Sequence, residues 1–155
     1  MTTHISQQFE QELQDIRSSV LTMGGLVEQQ VANALKSLKR ADLDLARNVM
    51  EEDGTVNDFE MKIDEECVQI IALRQPTASD LRLVSVILKA ITDLERIGDE
   101  AYNIAQKTLN LSEAAHSKKN YNELSALGSH VRSLLRDALD AFARLDVNAA
   151  LNVAR

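Results

Sequence analysis

Tryptophan is absent from this 155-residue chain, proline occurs once (Pro76), cysteine once (Cys67) and glycine five times, and aromatic residues make up only 3%. A core of large rings is thereby excluded. The interior must be assembled from Leu, Ile, Val, Ala and Met, which suit interlocking helix stripes better than a sheet rich in aromatic and β-branched residues. The scarcity of Pro and Gly removes the residues that punctuate strands and tight turns, so long helices are expected. A single cysteine cannot form an internal disulfide. Cys67 falls among apolar residues at helical spacing and reads as a core thiol, which fits a reducing compartment. Basic charge is also short: 17 Lys and Arg against 24 Asp and Glu leave a net charge of −7, which argues against a phosphate-backbone binder, so no nucleic-acid partner is expected. No stretch approaches the ~20 apolar residues of a membrane span, and the polar start from Met1 to Gln14 lacks the apolar run of a signal peptide. No membrane insertion is expected, and the cytoplasm is the expected location.

What is present is helical periodicity. Leu13, Ile16, Val20, Met23, Val27, Val31, Ala34 and Leu38 recur in steps of three and four, on one face of a first helix. Gly24 and Gly25 inside it mark a kink or a close helix contact. Asp42 is a suitable N-cap for a second helix, from about Leu43 to about Arg74, with the stripe Leu45, Val49, Val56, Phe59, Ile63, Cys67 and Ile70. One turn of that stripe is missing, because Glu51, Glu52 and Asp53 stand where an apolar residue should fall. Gln75-Pro76 ends the helix, and Thr77-Ala78-Ser79-Asp80 has the spacing of a capping box. A third helix then carries Leu81, Val84, Leu88, Ile91, Leu94, Gly98, Ala101, Ala105 and Leu109. A polar loop is expected over 112–122, and a fourth helix shows Leu124, Leu127, Val131, Leu134, Ala138, Ala141 and Leu145.

A shift of 104 positions superimposes the fourth helix on the first: Gly24 meets Gly128, Val27 meets Val131, Leu35 meets Leu139, Arg40 meets Arg144 and Asp42 meets Asp146. The chain thus reads as all-α, with a three-helix repeat over 1–111, the loop, and the start of a second repeat over 123–155 that breaks off after its first helix.

The residues with chemical potential are acids. Glu95, Asp99 and Asn103 are spaced i, i+4, i+8 on the third helix and share one face. Asp53, Asn57 and Glu60 lie along a face of the second. Pro76 is 23 residues from Asp53 and 23 from Asp99, so antiparallel packing puts both faces at one height. Oxygen ligands so arranged suit magnesium, manganese or iron; the plainer alternative is that both faces meet water. Glu113-Ala114-Ala115-His116 has the Glu-x-x-His spacing of di-iron bundles, but occurs once where two are needed. No Gly-rich phosphate loop and no Ser/His/Asp order appears, so no enzyme is expected.

The run Leu73-Arg74-Gln75-Pro76-Thr77-Ala78-Ser79-Asp80-Leu81-Arg82, followed by Asp93-Leu94-Glu95-Arg96-Ile97-Gly98-Asp99 and Asn103-Ile104-Ala105, resembles the PhoU family. That resemblance implies two three-helix repeats, each with an acid-x-x-x-Asp metal motif. Here the motif is Glu95 and Asp99, with Asn103, Asp53 and Glu60 as neighbours, holding a divalent or iron-type ion. It also implies a negative regulator of the phosphate-starvation response that couples the ATPase of a phosphate ABC transporter to a phosphate sensor histidine kinase. The unpaired apolar face of the fourth helix implies a homodimer. A ferritin-like oxidase and a purely structural bundle are the alternatives.

Overall fold

The computed structural model describes residues 2–111 and 121–155, which form five α-helices and, among these residues, no strand. They are α1 (Thr2–Arg40), α2 (Leu43–Arg74), α3 (Ala78–Asn110), α4 (Asn122–Arg144) and α5 (Val147–Val153). The expected loop lies outside the described residues up to 120, as does the Glu113-to-His116 run, and Asn122 already opens α4.

Helices α1, α2 and α3 pack against one another as a three-helix bundle, α4 lies along α1, and α5 folds back on α4. The bundle core joins Ile16, Val20, Met23 and Val27 of α1 to Val56, Ile63 and Cys67 of α2 and Val84, Ile87 and Ile91 of α3. A second cluster, Val31, Ala34, Ala46, Val49, Ala101 and Ala105, lies toward the α1–α2 turn, where small side chains let the helices approach. Burial pushes the Cys67 thiol up to about 11, helped by Asp64 and Glu66, so the core-thiol reading holds and the group is unreactive near neutral pH. At the other end of the bundle, Arg74 donates to both carboxylate oxygens of Glu12, at 2.7 and 3.1 Å, tying the end of α2 to α1.

The expected boundaries hold at the turns, with one correction. Asp42 caps α2 by accepting from Leu45 N–H at 3.0 Å, and Gln75 ends it in the left-handed region at φ 48°. The capping box at Thr77 does not form: its side chain makes no cap hydrogen bond. The entry to α3 is set by the backbone instead, with Ala78 at φ 47° and Asp80 N–H donating to Thr77 O at 3.2 Å. The stripe of α3 also differs from the expected one, since Leu81 is exposed and the core position is Ile87.

The duplication is visible in the backbone. Ala41 (φ 52°) and Leu145 (φ 51°) are both left-handed. Asp42 N–H donates to Ser37 O at 3.0 Å, and Asp146 N–H to Ala141 O at 2.9 Å. Asp146 caps α5 through Ala149 N–H at 2.9 Å, as Asp42 caps α2. Each of these pairs is related by the shift of 104, so the α1–α2 turn recurs between α4 and α5.

The contact between α1 and α4 has the same internal symmetry. A Cβ added at Gly24 would sit 2.5 Å from Leu139 Cδ2, and one at Gly128 would collide with Leu35 Cδ1. The shift that maps Gly24 onto Gly128 maps Leu35 onto Leu139, so the two helices exchange equivalent leucine-into-glycine contacts about a local two-fold axis. α1 runs unbroken through Gly24 and Gly25, which makes Gly24 a close-contact glycine rather than a kink. Glu28 pairs with Arg136 and, at 3.9 Å, with Arg132, adding charge to the same joint. α4 meets α1 through Leu135, Leu139 and Phe142. Most of the stripe read in the fourth helix, Leu124, Leu127, Val131 and Leu134, stays exposed.

Candidate metal site

The site lies midway along the bundle, where α2 and α3 run side by side and α1 crosses behind them. Helix α3 is unbroken through Leu94, Gly98 and Ala101, all buried, which turns Glu95 half out of the core and Asp99 fully out. On α2 the missing apolar turn leaves Asp53 half-buried between the buried Val49 and Val56, with Glu51 and Glu52 in water. Glu60 is half-buried two turns further on, and Asn103 is exposed one turn beyond Asp99.

The acids feel one another across the two helices. The Glu95 carboxyl is pushed up to about 7, first by burial, then by the Asp99 side chain one turn on, and by the negative charges of Asp99, Glu60 and Asp53. Glu60 is raised as well, by burial and then by Asp64 and Asp99. The charges that raise Glu95 are all carboxylates. Antiparallel packing of α2 and α3 thus leaves Asp53, Glu60 and Asp99 within electrostatic reach of Glu95, with Asn103 one turn beyond Asp99 on α3.

A residue of α1 that the sequence reading did not single out completes the picture. Gln30 is only 1% exposed, and its Nε2 donates to Asp53 Oδ1 at 3.4 Å. Its Oε1 is buried without a hydrogen-bond partner. Leaving such a carbonyl unsatisfied costs on the order of 1–3 kcal/mol. A Cβ at Gly98 would lie 3.0 Å from Gln30 Oε1 and 3.6 Å from Asp53 Oδ1. The glycine in the middle of Glu95-Arg96-Ile97-Gly98-Asp99 thus leaves room for two oxygens, one from α1 and one from α2.

These residues fit a hard or borderline cation by donor chemistry: several carboxylates, a neutral carbonyl in need of a partner, and a carboxyl that holds its proton for want of positive charge. They are not a closed coordination shell, since among the described residues no three His, Cys, Asp or Glu side chains converge as a formed ligand set. A cation here would be held by Glu95 and Asp99 with Asp53 and Glu60 at their flank, and it would supply fixed positive charge locking α2 to α3.

The raised carboxyl sets a pH dependence. Between its ordinary value of 4.5 and about 7, Glu95 keeps a proton in the folded chain that the unfolded chain releases. Metal-free stability is then fullest below the lower value and falls as pH rises through the upper one. Thermal melts in chelator should show Tm dropping from pH 5 to pH 8, with Glu95→Gln flattening that part of the profile. An identical profile in the variant would show that Glu95 does not titrate there.

Comparison with known proteins gives matches that span the stretch carrying these residues. Residues 20–108 match the PhoU domain model, a stretch that includes Gln30, Asp53, Glu60, Glu95 and Asp99. A Pseudomonas putida protein named phosphate-specific transport system accessory protein PhoU homolog is 54% identical over all of this chain, and the chain spans 60% of its length. The Escherichia coli accessory protein PhoU is 50% identical over all of this chain, which spans 64% of it. The crystal structure of PhoU from Pseudomonas aeruginosa superimposes with a TM-score of 0.89 at 51% identity, covering 94% of this chain and 70% of that one. For the phosphate transport system regulatory protein PhoU from Streptococcus pneumoniae the TM-score is 0.87 at 32% identity, over 94% and 68%. Among the described residues, no helix is long and apolar enough to cross a membrane.

Proposed function

Since the chain belongs to the PhoU family, we propose that it is a cation-binding helical adaptor that regulates phosphate transport. It works by docking rather than by catalysis. Its partners are the ATPase of a phosphate ABC transporter and a phosphate sensor histidine kinase in the cytoplasm, and through them it damps the phosphate-starvation response when phosphate is plentiful. The observation that carries the regulatory part is alignment over the whole chain with relatives named as accessory proteins of phosphate-specific transport. The chain spans 60–64% of those relatives, so it supplies one repeat, the joint to the next, and the site on α2 and α3. The cation part is supported by the four interacting carboxylates and the unsatisfied Gln30 oxygen.

Docking is tested by immobilising the chain and passing over it the purified transporter ATPase and the kinase's cytoplasmic region. Saturable binding of both is expected, and binding of neither overturns the adaptor reading. The bare stripe on α4 supports self-association as well. Leu127, 57% exposed, and Val131, 41% exposed, form with Leu124 and Leu134 an apolar face of the kind that pairs with a second copy. Sedimentation at tens of micromolar should show a dimer that Leu127→Glu with Val131→Glu turns into a monomer. A monomeric parent chain would contradict this.

A further inference from the structure

We propose that Gln30 is a cation ligand: a neutral oxygen donor from α1 that lies beside Asp53 of α2 and the Gly98 turn of α3, which carries Glu95 and Asp99. The inference rests on the cation reading of the site and names a residue that the acid spacing of α3 cannot reveal.

Glutamine is seldom fully buried, yet Gln30 sits at 1% exposure on the core side of α1, between Val27 and Val31. Its amide is oriented, because Nε2 is used on Asp53 Oδ1 at 3.4 Å. With the donor end engaged there, the carbonyl end is left without a partner. Gly98 lies alongside it, within the unbroken helix α3, where its N–H is engaged in the helix ladder. Gly98 has no Cβ, and the point a Cβ would occupy lies 3.0 Å from Gln30 Oε1 and 3.6 Å from Asp53 Oδ1. Two oxygens from two helices therefore flank the turn that carries Glu95 and Asp99. A bound cation satisfies that carbonyl.

The chemistry of the site favours such a donor. The charges acting on Glu95 are those of Asp99, Glu60 and Asp53, and another carboxylate would add to their repulsion. An amide carbonyl adds coordination without charge, a combination common around hard divalent ions such as Mn²⁺, Mg²⁺ and Ca²⁺. The internal repeat places Leu134 at the position equivalent to Gln30, so leucine is compatible with this place in the helix.

The test is titration of the metal-free chain with Mn²⁺, followed by calorimetry and by loss of the free-ion paramagnetic resonance signal. Gln30→Leu should weaken binding by about 10- to 100-fold, the range seen when groups around a metal are removed, with the helical circular dichroism spectrum unchanged. Gln30→Met, of similar length and without the oxygen, repeats the comparison should the leucine variant fail to fold. Gln30→Glu separates a ligand from a mere support of Asp53. It keeps an oxygen at the same reach and loses the N–H donor, so a ligand role predicts binding retained or tightened. A supporting role predicts binding weakened as in the leucine variant, and that result overturns the proposal. Unchanged affinity in Gln30→Leu alongside loss of binding in Glu95→Gln/Asp99→Asn overturns it too, while leaving the cation site standing. A parent chain that takes up no Mn²⁺ overturns both.

Discussion

Combining Glu95→Gln with Asp99→Asn should reduce Mn²⁺ affinity by more than about 100-fold and, in the same protein, raise metal-free stability at pH 8. The loss is set by scale: removing groups that only support a metal's ligands costs about 10- to 100-fold, and here two principal oxygen donors lose their charge together. The gain follows from the repulsion. Glu95 is pushed up to about 7 by burial and by Asp99, Glu60 and Asp53, so at pH 8 the metal-free fold carries an ionised group it disfavours, and the amide removes that cost. A structural ion pair would behave oppositely, losing stability when its charges are removed. Opposite signs for affinity and metal-free stability mark a site held ready for a cation. Calorimetric titration and melts of the same preparations measure both, and a variant that binds Mn²⁺ as the parent does would remove Glu95 and Asp99 from the site.

Ile63→Ala should destabilise the chain by about 3 kcal/mol, within the usual range for emptying a large aliphatic core position. Ile63 is fully buried at the centre of α2 and belongs to the cluster joined by Ile16, Val20, Val84 and Ile87 from the two other helices. For a chain of this length that corresponds to a fall in Tm of roughly 10 °C. Met61, two positions away and 71% exposed, is the internal control: Met61→Ala should move Tm by no more than a degree or two. Equal effects at both positions would mean that α2 does not present the face described.

The two substitutions probe parts of the molecule that were unequally legible in the sequence. Helix α2 could be read almost residue by residue, because a long amphipathic helix repeats its signal every turn and Asp42 and Gln75-Pro76 fix its ends through local chemistry. The duplicated turn was legible for the same reason, since Asp42 and Asp146 do the same local job 104 residues apart. The register of α3 was harder. Leu81 and Ile87 both satisfy helical spacing, and only packing against α1 and α2 chooses Ile87 for the core. In α4 the periodicity identified an apolar stripe correctly but could not say which flank would meet α1; Gly128 and Leu139 decide that through close approach.

Of the site, the shared height of Asp53 and Asp99 followed from the count to Pro76, and Glu60 with Glu95 came with it. Asn103 matches the spacing and is exposed one turn past Asp99, which is exposed as well. Gln30 escaped notice because its signal is a single polar residue on the edge of an apolar stripe, and its meaning depends on contacts to Asp53 and Gly98 that only the assembled bundle supplies. The gap between Val49 and Val56 was the visible half of that arrangement.

Crystals of the chain soaked in Mn²⁺ and measured at a wavelength where manganese scatters anomalously put the cation site to the most direct test. A peak is expected within about 2.5 Å of carboxylate oxygens of Glu95 and Asp99, on the side facing Asp53 and Gln30. A well-diffracting soaked crystal with no peak there, or with its only peaks on acids elsewhere on the surface, would contradict it.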